Sequence, residues 1–327
     1  MVFDVPAESG GAISVLYDFY DQCKVDEEND YIFVVSIPEL NETNNIKAFR
    51  FPWIKKSWFH RLFFDHFLAP GLICKNKVDK ILSLQNVIVP HTRVYQSLFV
   101  HNALPFSEHL FSFRDDRFLW VYQNIIGRSI KRSIKKADSV IVQTNWMKKK
   151  LIEQLNISAK KIEILQPKVD IVIKEHFQET KESISTFFYP ANGVAFKNHR
   201  LIVGACLKLK EDKISNYRII LTLCGNENKK VKQLHNVVIQ NKLPIEFVGN
   251  MTKSRVFELY TKSVLVFPSY VETVGLPLLE ARMHRTPILV SDCEYAHEVL
   301  VGYEHVEYFN PFDDSSLKKC FISKLKG

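Results

Sequence analysis

Short runs of β-branched and aromatic residues alternate along this chain with longer stretches in which apolar side chains recur every three or four positions. This alternation is typical of α/β proteins with mainly parallel sheets, because strand–helix–strand units place successive strands side by side. In the first half, the predicted strands are Tyr31–Ser36, Ile81–Leu84, Val87–Val89, Gln96–His101 and Ser139–Thr144. The predicted helices are Gly11–Cys23, Trp53–Phe67, Leu119–Lys136 and Asn145–Leu155.

The second half continues the same pattern. Its predicted strands are Ser185–Tyr189, Arg218–Leu223, Ile245–Val248, Val264–Pro268, Pro287–Ser291 and His305–Phe309. Its predicted helices are His199–Lys210, Asn228–Asn241, Thr252–Lys262, Pro277–Met283 and Tyr295–Val301. Strands and helices therefore alternate through both halves, as in a pair of α/β domains.

The best candidate for a domain boundary is the polar stretch Lys174–Ser185, which follows Pro167. We expect an N-terminal domain at residues 1–172 and a C-terminal domain at residues 173–327, both Rossmann-like. The fold class is thus α/β, with two similar domains facing each other across a cleft. Ligands of open parallel sheets bind at the carboxyl ends of the strands, so the cleft is the expected site.

Composition narrows the class of protein further. Hydrophobic residues make up 46% and charged residues 24% of the 327 positions, as in an ordinary soluble globular protein. No apolar run approaches the roughly 18–20 residues that a membrane-spanning helix needs, and the N-terminus does not resemble a signal peptide. The six cysteines lie far apart without a C-x-x-C pair, which argues against a zinc ribbon or a disulfide scaffold. These features favour a cytoplasmic protein.

Several common catalytic motifs are absent from the sequence. It contains no G-x-G dinucleotide fingerprint, no phosphate-binding P-loop, no H-E-x-x-H and no G-x-S-x-G nucleophile elbow. It also lacks a D-x-D pair, a common way of holding a divalent metal on a sugar nucleotide. We therefore expect no cofactor and no obligatory metal ion.

The most informative segment is Val264–His284, with the sequence VLVFPSYVETVGLPLLEARMH. A loop carrying Glu272 leads into a helix that contains Glu280, and Pro277 suits the first turn because its missing N–H would be unpaired there anyway. The backbone N–H groups of Val274–Leu276 are then placed at the positive end of a helix dipole, where a phosphate can bind. From the residues alone, the alternative is favoured in which Glu272 is solvated and Glu280 only complements the helix dipole.

Within this segment, E-T-V-G-L-P-L-L-E resembles the E-x7-E signature of retaining glycosyltransferases with the two-domain GT-B fold, the family called GT4. The resemblance spans nearly the whole chain, because other segments match the family in the same order. They are Pro6–Ser14 (PAESGGAIS), Phe99–Phe106 (FVHNALPF), Tyr189–His199 (YPANGVAFKNH), Leu223–Asn226 (LCGN), Phe247–Asn250 (FVGN) and Val266–Ser269 (VFPS). Any one of these matches is weak, and all of them in register are strong.

The resemblance implies a role for each matching residue. Glu272 would contact hydroxyls of the transferred sugar, Lys197 would neutralise the leaving diphosphate, and His101 would lie near the donor sugar. Glu280 would hold the ribose of the nucleotide. The remaining implied positions are the backbone contacts of the donor at Gly249, Val274, Gly275 and Leu276, and a loop at Gly10 and Gly11 that approaches the phosphates or the acceptor.

The activity implied by the resemblance is a retaining transfer of a sugar from a nucleoside-diphosphate sugar to a saccharide or a lipid-linked acceptor, in envelope or surface glycan synthesis. The resemblance also implies that the domain at residues 1–172 binds the acceptor and the domain at residues 173–327 binds the nucleotide-sugar donor. A sugar-nucleotide 2-epimerase of the same fold and a non-catalytic GT-B partner subunit remain open. The chain departs from the family at Pro190–Asn192, where an arginine often precedes the lysine. It also ends soon after Asp313 and Asp314, where members commonly continue into a last helix that crosses back onto the N-terminal domain.

The net charge of +8 is concentrated in the segment Arg128–Lys150, which carries eight basic residues and one acid. Five of them follow one stripe of a predicted helix, at Arg128, Lys131, Arg132, Lys135 and Lys136. Such a stripe can face water or an anionic membrane surface, and the second case would place the protein at the inner face of a membrane. The segment Lys47–His66 mixes aromatic and basic residues, but no nucleic-acid module accompanies it, and we expect no nucleic-acid partner.

Overall fold

The structure is a computed structural model that describes residues 1–8, 10–167, 169 and 171–326. It divides the chain into two compact units, Met1–Gln166 and Pro167–Gly327. Each unit contains one sheet, and every strand pair in the described residues is parallel. The predicted α/β class with parallel sheets is therefore confirmed.

The first unit is built on a seven-stranded sheet in the order β3-β2-β1-β4-β5-β6-β7. Its strands are β1 (Val2–Asp4), β2 (Tyr31–Val35), β3 (Ile46–Arg50), β4 (Lys80–Ser83), β5 (Tyr95–Phe99), β6 (Ser139–Val142) and β7 (Ile162–Ile164). Its helices are α1 (Gly10–Lys24), α2 (Trp58–Phe63), α3 (Ala69–Lys75), α4 (Arg117–Val121), α5 (Gly127–Lys136) and α6 (Asn145–Leu155). Two π-helical stretches, Phe64–Leu68 and Tyr122–Ile126, join α2 to α3 and α4 to α5, and 3-10 turns lie at Pro52–Lys56, Leu104–Phe106 and Ala159–Lys161.

Both faces of this sheet are covered by apolar side chains. On one face, Leu16 of α1 packs with Phe33 and Phe99 from the strands, and all three side chains are buried. On the other face, Phe64 from the π-helical stretch packs against Phe3 in a second buried cluster. Burial on both faces explains why β2, with the sequence YIFVV, is apolar along its whole length rather than alternating with polar residues.

Three parts of the first unit differ from the sequence prediction. Residues 87–89 form no strand, because the side chain of Gln96 bonds the backbone of Val89 at 2.9 and 2.8 Å and holds it in a loop. The helix predicted from Trp53 is interrupted at Ser57, whose hydroxyl caps α2 by accepting from the His60 N–H at 3.4 Å. The strands β1, β3 and β7 were not predicted.

The stripe of basic residues on α5 is also corrected by the structure. Arg128, Arg132, Lys135 and Lys136 are exposed, while Ile130 and Ile134 are buried as the helical periodicity predicts. Lys131 instead folds back onto the protein, where its Nζ lies 5.4 Å from the centroid of the Phe106 ring. The Nζ also donates to Gln154 at 3.4 Å, and burial lowers the pKa of Lys131. The exposed stripe therefore contains four cations rather than five.

The second unit is built on a six-stranded sheet in the order β10-β9-β8-β11-β12-β13. Its strands are β8 (Thr186–Tyr189), β9 (Arg218–Leu221), β10 (Ile245–Phe247), β11 (Val264–Phe267), β12 (Ile288–Ser291) and β13 (Val306–Phe309). Its helices are α7 (Lys181–Ser185), α8 (His199–Glu211), α9 (Lys229–Asn241), α10 (Lys253–Tyr260), α11 (Leu276–Met283), α12 (Glu294–Val299) and α13 (Asp314–Lys326), with a 3-10 turn at Ala195–Lys197. All six strands match predicted ones, and each of the first five is followed by a predicted helix.

The strand order places the first and fourth strands of each sheet side by side at its centre. In the second unit these strands are β8 and β11, which pair through Phe187–Val264 and Phe188–Leu265. The strand order therefore reverses between them, and the loops that follow them diverge. This topological switch point is where open α/β sheets bind their ligands, at the carboxyl ends of the strands.

The last helix, α13, lies after the final strand and was not predicted. It packs against α8 of the same unit. Its Phe321 also contacts the strand β8, with 4.5 Å between the ring centroids of Phe321 and Phe187. Gly204 of α8 allows this close approach, because a Cβ there would meet the Asp314 carboxylate unless that side chain moved. Thus α13 covers the second unit's own sheet.

Candidate active site

The loops that follow β8 and β11 meet through an ion pair between Lys197 and Glu272. Lys197 ends the 3-10 turn Ala195–Lys197, and Glu272 lies in the loop between β11 and α11. Their side chains are 19% and 14% exposed, so the pair is largely withdrawn from water. The structure thus brings two predicted site residues together at the switch point of the sheet, although 75 positions separate them in the sequence.

Hydrogen bonds to backbone carbonyls hold these two loops in place. The Tyr189 hydroxyl donates to the Lys197 carbonyl at 2.9 Å, and the Asn198 amide donates to the Pro268 carbonyl at 3.2 Å. On the β11 side, the Tyr295 hydroxyl donates to the Ser269 carbonyl at 2.6 Å. The backbone on both sides of the ion pair is therefore fixed, which positions the two charges before any ligand binds.

Aromatic rings line the lysine side of the pair. The Nζ of Lys197 lies 5.7 Å from the centroid of Phe196 and 6.0 Å from that of Phe267. An ammonium group near aromatic faces gains a favourable electrostatic contact and is shielded from water. Since Lys197 has three N–H donors and Glu272 accepts one of them, the lysine retains donors for a second anion.

The amino end of α11 forms the next part of the site. Gly275 caps this helix with a φ of 75°, a left-handed conformation that favours glycine, and Pro277 follows in the first turn. The N–H groups of Val274 and Gly275 donate no hydrogen bond to any described residue, and Leu276 is the first helical residue. These amides lie at the positive end of the helix, directly after Glu272 in the chain, and can bind an anionic phosphate.

Glu280 lies on α11, one turn beyond this helix start. Its Oε2 accepts a hydrogen bond from the Tyr260 hydroxyl at 3.2 Å, and burial raises the pKa of Glu280. The carboxylate is thus anchored to α10 rather than free in solvent. This contact argues against the alternative in which Glu280 only complements the helix dipole from the surface.

Gly249 occupies a different part of the same edge of the sheet. It follows β10 with a φ of 74°, and its N–H donates to the Leu223 carbonyl at 2.9 Å. A Cβ at this position would lie 3.2 Å from the Cys224 Sγ, so both the backbone conformation and the space favour glycine. Because β10 is two strands away from β8, Gly249 lies roughly 10 Å along the sheet from the ion pair.

The first unit carries the remaining predicted residues at the carboxyl ends of its own strands. His101 follows β5, and its N–H donates to the Asn86 Oδ1 at 2.9 Å. Burial lowers the pKa of His101 to about 4, so the imidazole is neutral at pH 7. Gly10 and Gly11 are the first two residues of α1 rather than part of a loop, and nothing lies within 4 Å of a Cβ built on Gly11. Their approach to the phosphates or the acceptor stays a prediction.

Two buried polar side chains at the centre of this sheet were missed by the sequence analysis. Asp4 is the last residue of β1 and Gln85 lies two residues beyond β4, the strand beside it. Asp4 is 1% exposed and Gln85 5%, and no side-chain oxygen or nitrogen of either finds a hydrogen-bond partner in the described residues. Burial raises the pKa of Asp4 to about 7. Unpaired buried polar groups at a switch point are candidates for ligand contacts.

The described residues contain no cluster of three or more His, Cys, Asp or Glu side chains that could hold a metal ion. Lys197 and the α11 amides instead supply positive charge at the switch point of the second unit. Nor is any described helix long and apolar enough to cross a membrane.

Comparison with protein families identifies the second unit. Residues 171–326 match the family described as Glycosyl transferases group 1. The second unit is a group 1 glycosyl transferase domain. The ion pair of Lys197 and Glu272 and the amino end of α11 therefore belong to a domain of transferase class.

Known proteins resemble a larger part of the chain. The O-antigen chain mannosyltransferase RfbU of Salmonella typhimurium is 26% identical over 256 residues, which are 77% of this chain and 67% of RfbU. Sucrose-phosphate synthase of Thermosynechococcus elongatus superimposes with a TM-score of 0.74 at 14% identity, covering 99% of this chain and 89% of the synthase. Anabaena Alr3699/HepE, solved with UDP and glucose, has a TM-score of 0.67 at 15% identity, covering 98% and 88%.

These likenesses establish the fold as that of GT-B glycosyltransferases, and the family match of residues 171–326 together with the likeness to RfbU supports a transferase. The chain spans about half the length of Staphylococcus aureus TarM, of which it covers 52%. The sugar, the acceptor and the stereochemistry are matters for the proposal below.

The orphaned carboxyl of Asp4 predicts an unusual pH dependence of stability. Its pKa is about 7 in the folded state against 3.8 in the unfolded chain, so between these values only the folded state keeps the proton. The free energy of unfolding of the first unit should therefore fall as the pH rises from 4 to 8. Asp4→Asn should abolish this fall and stabilise the unit at pH 8 by on the order of 3 kcal/mol, measured by urea denaturation.

The exposed Asp30→Asn serves as the matched control, since it removes the same charge without relieving a buried one. Its pH profile should follow the wild type. Parallel profiles for wild type and Asp4→Asn would show that the Asp4 carboxyl is not perturbed in the folded protein.

Proposed function

We propose that this protein transfers a sugar from a nucleoside-diphosphate sugar to a saccharide or lipid-linked acceptor, with retention of anomeric configuration, in the synthesis of an envelope or surface glycan. The observation that carries the proposal is the Lys197–Glu272 pair beside the open amino end of α11. This arrangement offers a fixed cation and free amides for a diphosphate, and a carboxylate for sugar hydroxyls. The names of two similar proteins support it, since RfbU is a mannosyltransferase and HepE was solved with UDP and glucose.

In the proposed reaction, the protein stabilises the diphosphate as the bond to the sugar breaks. Lys197 and the N–H groups of Val274–Leu276 bind the phosphate oxygens on which negative charge develops. Glu272 accepts hydrogen bonds from the sugar, and Glu280 from the ribose. Such contacts act most strongly when water is excluded, because the local dielectric constant is then low.

Retention is proposed to follow from attack on the same face of the sugar that the diphosphate leaves. The departing phosphate oxygen then takes the proton of the acceptor hydroxyl, while that hydroxyl oxygen bonds to the anomeric carbon. A route through a covalent glycosyl-enzyme would need a carboxylate nucleophile. Glu272 is poorly suited to that role, because its charge is already engaged by Lys197.

The two glutamates should affect different steps. Glu272→Gln should lower kcat by about 10- to 100-fold with a smaller change in donor affinity, because its contact matters most as the sugar departs. Glu280→Ala should instead weaken binding of the free nucleotide by about tenfold, since a ribose contact does not need the sugar. Steady-state kinetics and calorimetry separate the two effects.

The exposed Glu304→Gln is the charge-matched control in the same unit and should behave as wild type. Unchanged kinetics in both Glu272→Gln and Glu280→Ala would overturn the roles proposed for these residues. Calorimetric binding of a nucleotide sugar without turnover on any acceptor would instead favour a non-catalytic partner. Conversion of the donor alone would favour an epimerase.

We also propose that the transfer needs no metal ion, because Lys197 and the α11 amides supply the positive charge that a metal would otherwise provide at the diphosphate. Activity should therefore persist after dialysis against EDTA, within about twofold of the untreated enzyme. Loss of activity that Mg²⁺ or Mn²⁺ restores would contradict this proposal.

The four exposed cations of α5 support a further proposal, that the protein works on the inner, cytoplasmic face of a membrane. Each basic residue near an anionic bilayer contributes on the order of 1 kcal/mol, and the attraction fades beyond a Debye length. The four exposed cations are Arg128, Arg132, Lys135 and Lys136. Changing all four to Gln should abolish co-sedimentation of the protein with phosphatidylglycerol vesicles at low salt.

A control variant should remove four exposed lysines of the second unit, namely Lys229, Lys232, Lys319 and Lys326. It carries the same change in net charge and should retain vesicle binding if α5 is the contact. Equal binding by wild type and the α5 variant would show that the stripe is only solvated.

A further inference from the structure

A cavity of about 650 Å³ lies in the first unit, against the connection between β4 and β5. This connection runs from residue 84 to 94 without a helix among the described residues. The cavity is lined by the connection itself, by α5, and by residues of α2 and the π-helical stretch that follows it. Three separate parts of the chain therefore converge on one concave surface.

Three cations line this cavity without a partner. They are Arg93 from the connection and Arg132 and Lys136 from α5, and none of them forms an ion pair or a hydrogen bond with a described residue. Their charges are exposed and available to a ligand. By contrast, Arg128 and Lys135 belong to the same helix but do not line the cavity.

The two carboxylates at the cavity wall are already engaged. Asp65 forms an ion pair with Arg61, with 2.6 Å between Oδ2 and Nε. Asp138 accepts the backbone N–H of Gln96 at 2.7 Å. Neither carboxylate forms an ion pair with any of the three free cations. The cavity therefore carries an excess of positive charge.

The wall formed by the connection is held rigidly. Gln96 bonds the backbone of Val89 in both directions, and the ring nitrogens of His66 and His91 lie 2.9 Å apart. The Thr92 hydroxyl accepts the Val94 N–H at 3.2 Å. Arg93 is thus carried on a preorganised loop, which reduces the entropy lost when a ligand binds.

The remaining lining indicates what kind of anion fits. Ser129 and Ser133 of α5 add hydroxyl groups beside the cations, and Val87 and Ile88 give the opposite wall apolar surface. A volume of this size exceeds that of a phosphate ion and is typical of sites for small organic ligands. The lining therefore fits a phosphate group that is attached to an organic residue.

We propose that this cavity binds a phosphate ester, with Arg93, Arg132 and Lys136 contacting the phosphate. The site is separate from the proposed reaction. Gln96 and Asp138 lie at the amino ends of β5 and β6, whereas His101 lies beyond the carboxyl end of β5. The ester is either a soluble phosphate ester or the headgroup of an anionic phospholipid, which share this chemistry.

A pair of matched double variants tests the proposal. Arg132→Gln/Lys136→Gln removes two cavity cations, and Arg128→Gln/Lys135→Gln removes two cations from the same helix outside the cavity. Binding is measured by calorimetry with glycerol 3-phosphate at fixed ionic strength, and by flotation with vesicles of phosphatidylglycerol in phosphatidylcholine. With glycerol 3-phosphate, the cavity variant should bind at least about tenfold more weakly, while the control stays within about twofold of wild type. With vesicles, both variants lose general attraction, and the cavity variant should lose clearly more binding than the control.

Arg93→Gln provides an independent check, because Arg93 lies in the connection between β4 and β5 and not on α5. This variant should also weaken the binding of the phosphate ester. Cavity-dependent binding of glycerol 3-phosphate alone would identify a soluble ester, and cavity-dependent binding of vesicles would identify a lipid headgroup. Equal losses in both double variants would show diffuse attraction to α5 and overturn the proposal. It would also be overturned if wild type bound neither probe saturably.

Discussion

The partly buried ion pair between Lys197 and Glu272 is the contact on which the proposed chemistry depends. It joins the two loops that diverge from the centre of the second sheet, and it does so where parallel sheets bind ligands. Withdrawing two charges from water is costly, and a pair of this kind contributes little to stability by itself. Hydrogen bonds hold the backbone on both sides of the pair, and the N–H groups at the start of α11 lie beside it without a partner among the described residues. These features indicate a role in ligand binding rather than in stability, with the lysine and the amides facing a diphosphate and the glutamate facing a sugar.

The second unit could be predicted closely from its sequence. Its strands β8, β11 and β12 are fully buried and mainly apolar, and each is followed by a helix. Gly275 and Pro277 mark the start of α11 with residues that the local backbone favours. The contact between Lys197 and Glu272 could not be derived from local pattern, because strand order alone brings them together. The family resemblance implied that both residues lie at the donor, but it did not predict their ion pair.

The first unit was harder to predict, for physical reasons that differ from place to place. The strand β1 has only three residues, so Asp4 could not be recognised as a buried strand end. Periodicity correctly placed the basic stripe on α5 but could not show that Lys131 turns back onto Phe106, since that contact is tertiary. The phosphate-ester cavity was equally invisible, because its three free cations come from two elements separated by about 40 residues.

Binding of nucleoside diphosphates tests the central claim most directly, because it isolates the phosphate contact from the rest of the reaction. Calorimetry should compare UDP and GDP with their monophosphates on wild type, on Lys197→Met and on the exposed control Lys232→Met. The account predicts that wild type and the control bind a nucleoside diphosphate more tightly than the monophosphate. In Lys197→Met, the ratio of the two affinities should fall by at least about tenfold. An undiminished preference in Lys197→Met would contradict it.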